Sequence, residues 1–186
     1  GQVCVPGQMI LRELGVGRIP VVNVENACAT AATAFQQACT MVSAGLYDVV
    51  LACGVEKLYH RDKLKTFSVF SGAVDVEAMD EVVGGIAQRI AALGAPIDTA
   101  GAGTTRSLFM DIYAIWALSH MQRHGTTREQ FAMVSAKNSL HGSLNPKAQY
   151  RDVITVADVL AAREVSWPLT LPMCSPIGDG AAAAII

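Results

Sequence analysis

Of the five cysteines in this chain, at positions 4, 28, 39, 53 and 174, Cys28 has the setting of a nucleophile. It follows the β-branched run Val21-Val22-Asn23-Val24 and opens a long stretch with helical spacing, so it stands at a strand-to-helix junction. A thiol in the first turn of a helix meets the positive end of the macrodipole and unpaired backbone N–H groups, and both favour the thiolate, which is the reactive form. Cysteine is by default a small buried residue. Cys4, Cys39 and Cys53 have no comparable setting and read as core, while Cys174, beside a glycine-containing turn, reads as a residue that lines a pocket without reacting.

A cysteine nucleophile usually works with a general base within hydrogen-bond reach. The four histidines are His60, His120, His124 and His141, and each reads as a solvated surface residue or a loop neighbour rather than as that base. No spacing among His, Cys, Asp and Glu reads as a metal site, so no metal is expected. Gly101-Ala102-Gly103 is too short a signal for a phosphate loop, and no complete GxGxxG or Walker pattern occurs.

The elements that must position Cys28 follow from the pattern around it. No residue from Asn26 to Tyr47 is charged, and Ala31, Ala32, Phe35, Cys39 and Val42 repeat at helical spacing. This predicts a helix buried on all sides, ended at Gly45 by a left-handed residue. Tyr47–Gly54 reads as an apolar strand of the kind that lies in parallel sheets, so strand, helix and strand within Ile19–Gly54 predict one right-handed βαβ unit. The cysteine would then lie at the carboxyl end of a parallel strand. Gly1–Gly7 reads as a strand end and turn, and Pro6–Leu14 as a helix with proline in its first turn. Glu56–Arg106, of mixed charge and rich in glycine, reads as an excursion with short helices. Beyond it, Leu108–His124 is expected to be a helix with an apolar stripe through Phe109, Ile112, Trp116 and Met121, ended by Gly125. Thr126 and Glu129 form a capping-box pattern for a second helix through about Leu140. A short helix should begin near Thr155, and Asp179–Ile186 should be a strand.

Composition narrows the function classes. The chain is 52% hydrophobic, with mean hydropathy +0.35 and only 16% charged residues, against a usual charged share of about 25%. Only five charged residues, Arg12, Glu13, Arg18, Glu25 and Asp48, fall in positions 1–54, marking that part as a buried core with apolar edges. A net charge of −2 without a basic cluster argues against nucleic acid and anionic membranes as partners. No apolar run reaches the roughly 18 residues of a membrane span. No CxxC pair occurs, which favours a reducing compartment.

The segment Asn26-Ala27-Cys28-Ala29 resembles the acyl-accepting motif of the thiolases, and within them of the sterol-carrier-protein-2 (lipid-transfer-protein) type. Further similar blocks follow in order: Gly54-Val55-Glu56-Lys57, Ser107–Ala114, Gly125–Ala132, Lys137-Asn138, His141–Pro146 and Cys174–Ala183. Ala31-Ala32 stands where that family commonly has Gly-Ser, and Gly178 where it has Ser before Asp179-Gly180. The resemblance implies an α/β fold layered α-β-α-β-α. It also implies a core at residues 1–57, a loop domain at 58–171 that holds the nucleotide end of coenzyme A, and a returning core strand at 172–186. Such enzymes carry their base histidine in a Gly-His-Pro motif and a second cysteine in a Cys-x-Gly motif, both in a C-terminal half. Neither motif occurs here, so the chain is expected to match the N-terminal half only.

What the resemblance implies for function is an acyl-CoA acyltransferase that cleaves 3-ketoacyl-CoA by thiolysis, or runs the reverse condensation, with Cys28 as the acylated nucleophile. Ser175 would contact the pantetheine arm. Coenzyme A is a substrate, and no permanently bound cofactor is implied. A longer, branched or steroid-like acyl chain, a homodimer or tetramer, and a cytoplasmic or peroxisomal matrix location are implied by subfamily resemblance alone. The rival readings are a condensing synthase of the same fold and a non-thiolytic lipid-binding or aldolase subunit.

Overall fold

The computed structural model describes residues 4–100, 102 and 106–186. The expected strand end before Cys4, and Gly101 and Gly103 of the glycine turn, lie outside the described residues. The architecture is mixed α/β, with seven α-helices and two antiparallel pairs of strands among the described residues. It falls into two compact units: the N-terminal residues through Lys57 together with Gly178–Ile186, and Leu58–Ile177.

In the first unit, α1 (Pro6–Glu13) has proline in its first turn, where a missing N–H is harmless. Its residue before the helix, Val5, supplies no side-chain cap. Asn23 does so from a distance: its Oδ1 accepts from Gly7 N–H at 2.8 Å, and its Nδ2 donates to Gln8 at 2.7 Å. A Cβ on residue 7 would stand 2.8 Å from that Oδ1, so a side chain there would have to push the Asn23 amide aside. Ile19–Val24, which begins in a bend, forms no ladder, contrary to the expected first strand of a βαβ unit. β-Branched residues fix an extended backbone locally, whereas a ladder needs a neighbouring strand that local pattern cannot specify.

A 3-10 turn at Ala27–Ala29 precedes α2 (Thr30–Ser43), which ends ahead of Gly45 at φ +69° as its sequence predicts. β1 (Leu51–Glu56) starts later than expected and pairs antiparallel with β4 (Gly180–Ile185), in register Leu51↔Ile185 through Glu56↔Gly180. Val50 and Ile186 extend the pairing with two backbone bonds of 3.0 Å. The parallel βαβ unit is therefore not seen: the ladder partner of β1 comes from the far end of the chain. α2 packs on β1 where Ala31 meets Gly54, whose added Cβ would lie 3.4 Å from the Ala31 Cβ. Burial of α2 differs from expectation as well. Ala38 is its one buried residue and Phe35 is 49% exposed, because within this unit β1 covers a single face of the helix.

In the second unit, α3 (Lys63–Ser68) is capped by Asp62, which accepts from Leu64 N–H at 3.0 Å, and runs into a 3-10 turn at Val69–Ala73. α4 (Met79–Leu93) is longer than the short helices expected there, and it packs on α5 (Phe109–His124) through Ile86, Ile90 and Ile115. Left-handed Gly94 and Gly125 terminate the two helices. The buried face of α5 is Asp111, Ala114, Ile115 and Leu118 rather than the predicted stripe, and Trp116 is 61% exposed. The helix is apolar on several faces, so periodicity alone could not select the one that meets α4 and the hairpin.

α6 (Arg128–Ser143) starts from a capping box of Thr127 and Gln130, one residue beyond the pair read from sequence. α7 (Val156–Ala161) begins at Thr155 as expected, with Asp158 closing its own capping box. A small hairpin of β2 (Glu164–Ser166) and β3 (Leu169–Thr170) follows, then a 3-10 turn at Leu171–Met173. Fully buried Thr170 donates to Val159 O at 2.7 Å, tying the hairpin to α7.

Candidate active site

Cys28 lies within the 3-10 turn, two residues ahead of α2, and is exposed. It is thus at the helix head but not inside the first α-helical turn. The turn is held by hydrogen bonds among its own polar residues. Ala27 adopts φ +47°, an uncommon conformation for a residue with a Cβ, and its N–H donates to Glu25 Oε1 at 2.7 Å. Thr30 Oγ1 accepts from Asn26 N–H at 2.8 Å and lies 2.7 Å from both Glu25 Oε1 and Ala27 O. One hydroxyl proton serves one acceptor at a time, and the charged carboxylate is the stronger. Asn26 Nδ2 donates to Thr33 Oγ1 at 2.9 Å, which donates in turn to Ala29 O at 2.9 Å. The Thr30 hydroxyl foremost, and the Ala27 N–H after it, hold the Glu25 carboxyl below its ordinary value. A strained, cross-braced turn therefore presents the sulfur of the cysteine singled out from sequence, and the Glu25–Thr30 brace was not anticipated there.

The end of β1 adds a second feature that sequence reading missed. Lys57 forms an ion pair with Asp179, the residue before β4, so the Gly-Val-Glu-Lys and Gly-Asp-Gly blocks are joined across the strand pair. Opposite charges at the ends of two predicted neighbouring strands would have been the signal.

The other site candidates fall in the second unit. Cys174 is partly buried, donates weakly to Thr170 O at 3.5 Å, and has its thiol pushed up by burial, with Arg163 opposing. Burial of this kind disfavours the reactive thiolate. Ser175 follows it, exposed, in the irregular stretch that leads to β4. The first unit contains no histidine. In the second, His60 Nδ1 accepts from Asp62 N–H at 2.9 Å and serves the α3 cap, while His120 and His124 lie in α5 and His141 in α6. Among the described residues no group of three or more His, Cys, Asp or Glu gathers to hold a metal.

The block Ser107–Ala114 acquires a structural explanation. Asp111, fully buried, accepts from Arg106 Nη1 at 2.6 Å and from Ser166 Oγ at 2.8 Å, and Arg106 also reaches Asp98 O. An acidic residue within an apolar helix was the available signal for this cluster, which fastens the chain before α5 and the hairpin to the same helix.

The family model described as Thiolase, N-terminal domain, matches residues 1–164. The chain belongs to the thiolase family. It is 36% identical over 178 residues to an acetyl-CoA acetyltransferase of Methanothermobacter thermautotrophicus, covering 96% of this chain and 40% of that protein. It is 33% identical to the benzoylsuccinyl-CoA thiolase subunit BbsB of Thauera aromatica, covering 98% and 41% respectively, and 34% identical to sterol carrier protein 2 of Gallus gallus, covering 95% and 29%. This chain spans about two fifths or less of the length of these relatives. The solved structure of an Ltp2-ChsH2(DUF35) aldolase superposes with TM-score 0.64 at 24% identity, over 97% of this chain and 41% of that one, which establishes the thiolase-like α/β fold. No helix among the described residues is long and apolar enough to cross a membrane.

Proposed function

We propose that this chain carries the acyl-accepting half of a thiolase-type acyl-CoA acyltransferase acting on 3-ketoacyl-CoA, with Cys28 as the nucleophile. The observation that supports this most is the exposed sulfur on a braced turn at the head of α2, within the Asn-Ala-Cys-Ala block. In the forward direction the Cys28 sulfur adds to the C3 carbonyl carbon and the C2–C3 bond breaks. Its electrons leave as the enolate of acetyl-CoA, which takes up a proton, and the shortened acyl group remains as a thioester on Cys28. The thiol of coenzyme A, losing its proton to a base, then attacks that thioester and frees Cys28.

The proton transfers and part of the oxyanion stabilisation need a base and donors, the first unit has no histidine to serve as that base, and we assign these groups to a complementary C-terminal thiolase half. In this reading residues 1–57 and 172–186 supply the core and 58–171 the loop domain. Ser175 contacts the pantetheine arm, and the exposed apolar residues of the first unit are covered by that half and by a second subunit. Similarity to the Ltp2-ChsH2(DUF35) aldolase supports a second reading, in which the same scaffold breaks carbon–carbon bonds without an acyl-cysteine.

Loss of a base or an oxyanion donor typically lowers the rate by about 10²–10⁴ each. The 186-residue chain alone should therefore show no thiolysis when the enolate absorbance of a 3-ketoacyl-CoA is followed, and the complementary half should restore it. Robust turnover by this chain alone would overturn the assignment, and turnover that survives Cys28→Ala in the restored enzyme would favour the aldolase reading.

A further inference from the structure

The last turn of α5 carries a histidine pair that acyl transfer does not use. His120 and His124 are four residues apart and so share one face of the helix. Their ring centroids are 4.6 Å apart with planes inclined by 47°. His120 Nδ1 lies 2.8 Å from Thr126 Oγ1, which the left-handed Gly125 turns back over the helix end. With the hydroxyl oxygen as acceptor, the ring proton sits on Nδ1 and the Nε2 lone pair is left available. This is the arrangement of a metal-bound imidazole, one nitrogen on the ion and the other donating to a fixed oxygen.

We propose that His120 and His124 form a bidentate site for a borderline divalent transition-metal ion of the zinc, nickel and copper class, the remaining positions being filled by water. Two imidazole nitrogens bound tetrahedrally at about 2.0–2.1 Å from an ion stand roughly 3.4 Å from each other. The exposed rings are 4.6 Å apart between centroids, and side-chain rotation would have to bring one nitrogen of each to that spacing. The carbonyl end of α5 favours a cation there. Arg123 opposes it, but its side chain lines the cleft between α4 and α5 together with Arg89. The i, i+4 spacing is that of the ligand pair in the HExxH zinc motif, and here Met121 occupies the position of the catalytic glutamate. The site therefore binds an ion without the base for metal-assisted hydrolysis. No metal site is expected from sequence, where this spacing goes unread, and Thr126 is what the fold adds.

The test is calorimetric titration of the untagged protein with Ni²⁺, after alkylation with iodoacetamide so that the exposed thiols do not compete. One equivalent should bind. Affinity should fall at least tenfold in His120→Ala and in His124→Ala, and about ten- to a hundredfold in Thr126→Ala. It should be unchanged in His60→Ala and His141→Ala. Circular dichroism confirms that these surface variants stay folded. No binding at millimolar Ni²⁺, or binding indifferent to both α5 histidine variants, would overturn the proposal.

Discussion

The two units bury their apolar residues to very different extents. In the second, Ala114, Ala132 and Val159 are inaccessible to solvent and Ile86, Ile90 and Ile115 form a core between α4 and α5. In the first, Ala38 alone is buried among the described residues, while Val22, Leu46, Val49, Leu51, Val55 and Ile185 are each at least 55% exposed. Exposed apolar surface on this scale is what the proposed C-terminal half or a second subunit would cover. The candidate nucleophile thus belongs to the unit that is least able to stabilise itself. Its local geometry rests on short-range hydrogen bonds around Glu25, Asn26, Thr30 and Thr33 rather than on a core.

Breaking the second unit should have the largest effect. Arg106→Met leaves the buried Asp111 carboxylate without its cation, a change that typically destabilises by about 3–5 kcal/mol. Both tryptophans, Trp116 and Trp167, lie in this unit, so urea unfolding followed by tryptophan fluorescence reads it directly. An unchanged midpoint would show that the Arg106–Asp111 cluster does not hold the unit together.

In the first unit the sensitive point is the seam between α2 and β1. Gly54→Val forces branched carbons into the Ala31 methyl, an overpacking expected to destabilise by about 1–3 kcal/mol. Hydrogen exchange of the α2 amides should accelerate, while those of α6 stay protected. Returning to the second unit, Thr127→Ala removes the capping box of α6 and should destabilise by about 1 kcal/mol. That loss would appear as a lower urea midpoint with an unchanged slope.

The smallest effect is the pH response of the cysteine turn. Glu25 has its carboxyl held below the ordinary 4.5, so its contribution is fully present above pH 4.5 and is lost as pH falls through the lower folded value. Protection of the Ala27 amide, corrected for intrinsic exchange, should decline over that acid range. Glu25→Gln should show the loosened turn already at pH 7. Protection that stays the same in the variant would mean that the turn is braced by something other than the carboxylate.

How much of this was legible in sequence depends on the range of the interaction. Helix ends were legible at Gly45, Gly125 and Thr155, because a left-handed glycine or a side-chain cap acts within a few residues. The pairing of β1 with β4 was not, since Leu51 and Ile185 are separated in sequence by the whole of the second unit. The buried face of α5 was misjudged because its apolar residues do not form one stripe, and Asp111 is buried by a partner in another element, Ser166. At the candidate site, Cys28 was visible from its neighbours, whereas the Glu25–Thr30 brace depends on the positive φ of Ala27, which no local propensity predicts for alanine.

The central claim is that Cys28 accepts the acyl group, and peptide mapping after brief exposure of the protein, with its complementary half, to an excess of a 3-ketoacyl-CoA tests it most directly. The account predicts an acyl thioester on the peptide that contains Cys28, released by added coenzyme A and absent in Cys28→Ala. An acyl group found on Cys39, Cys53 or Cys174 with Cys28 unmodified, or turnover without any acyl-cysteine, would contradict it.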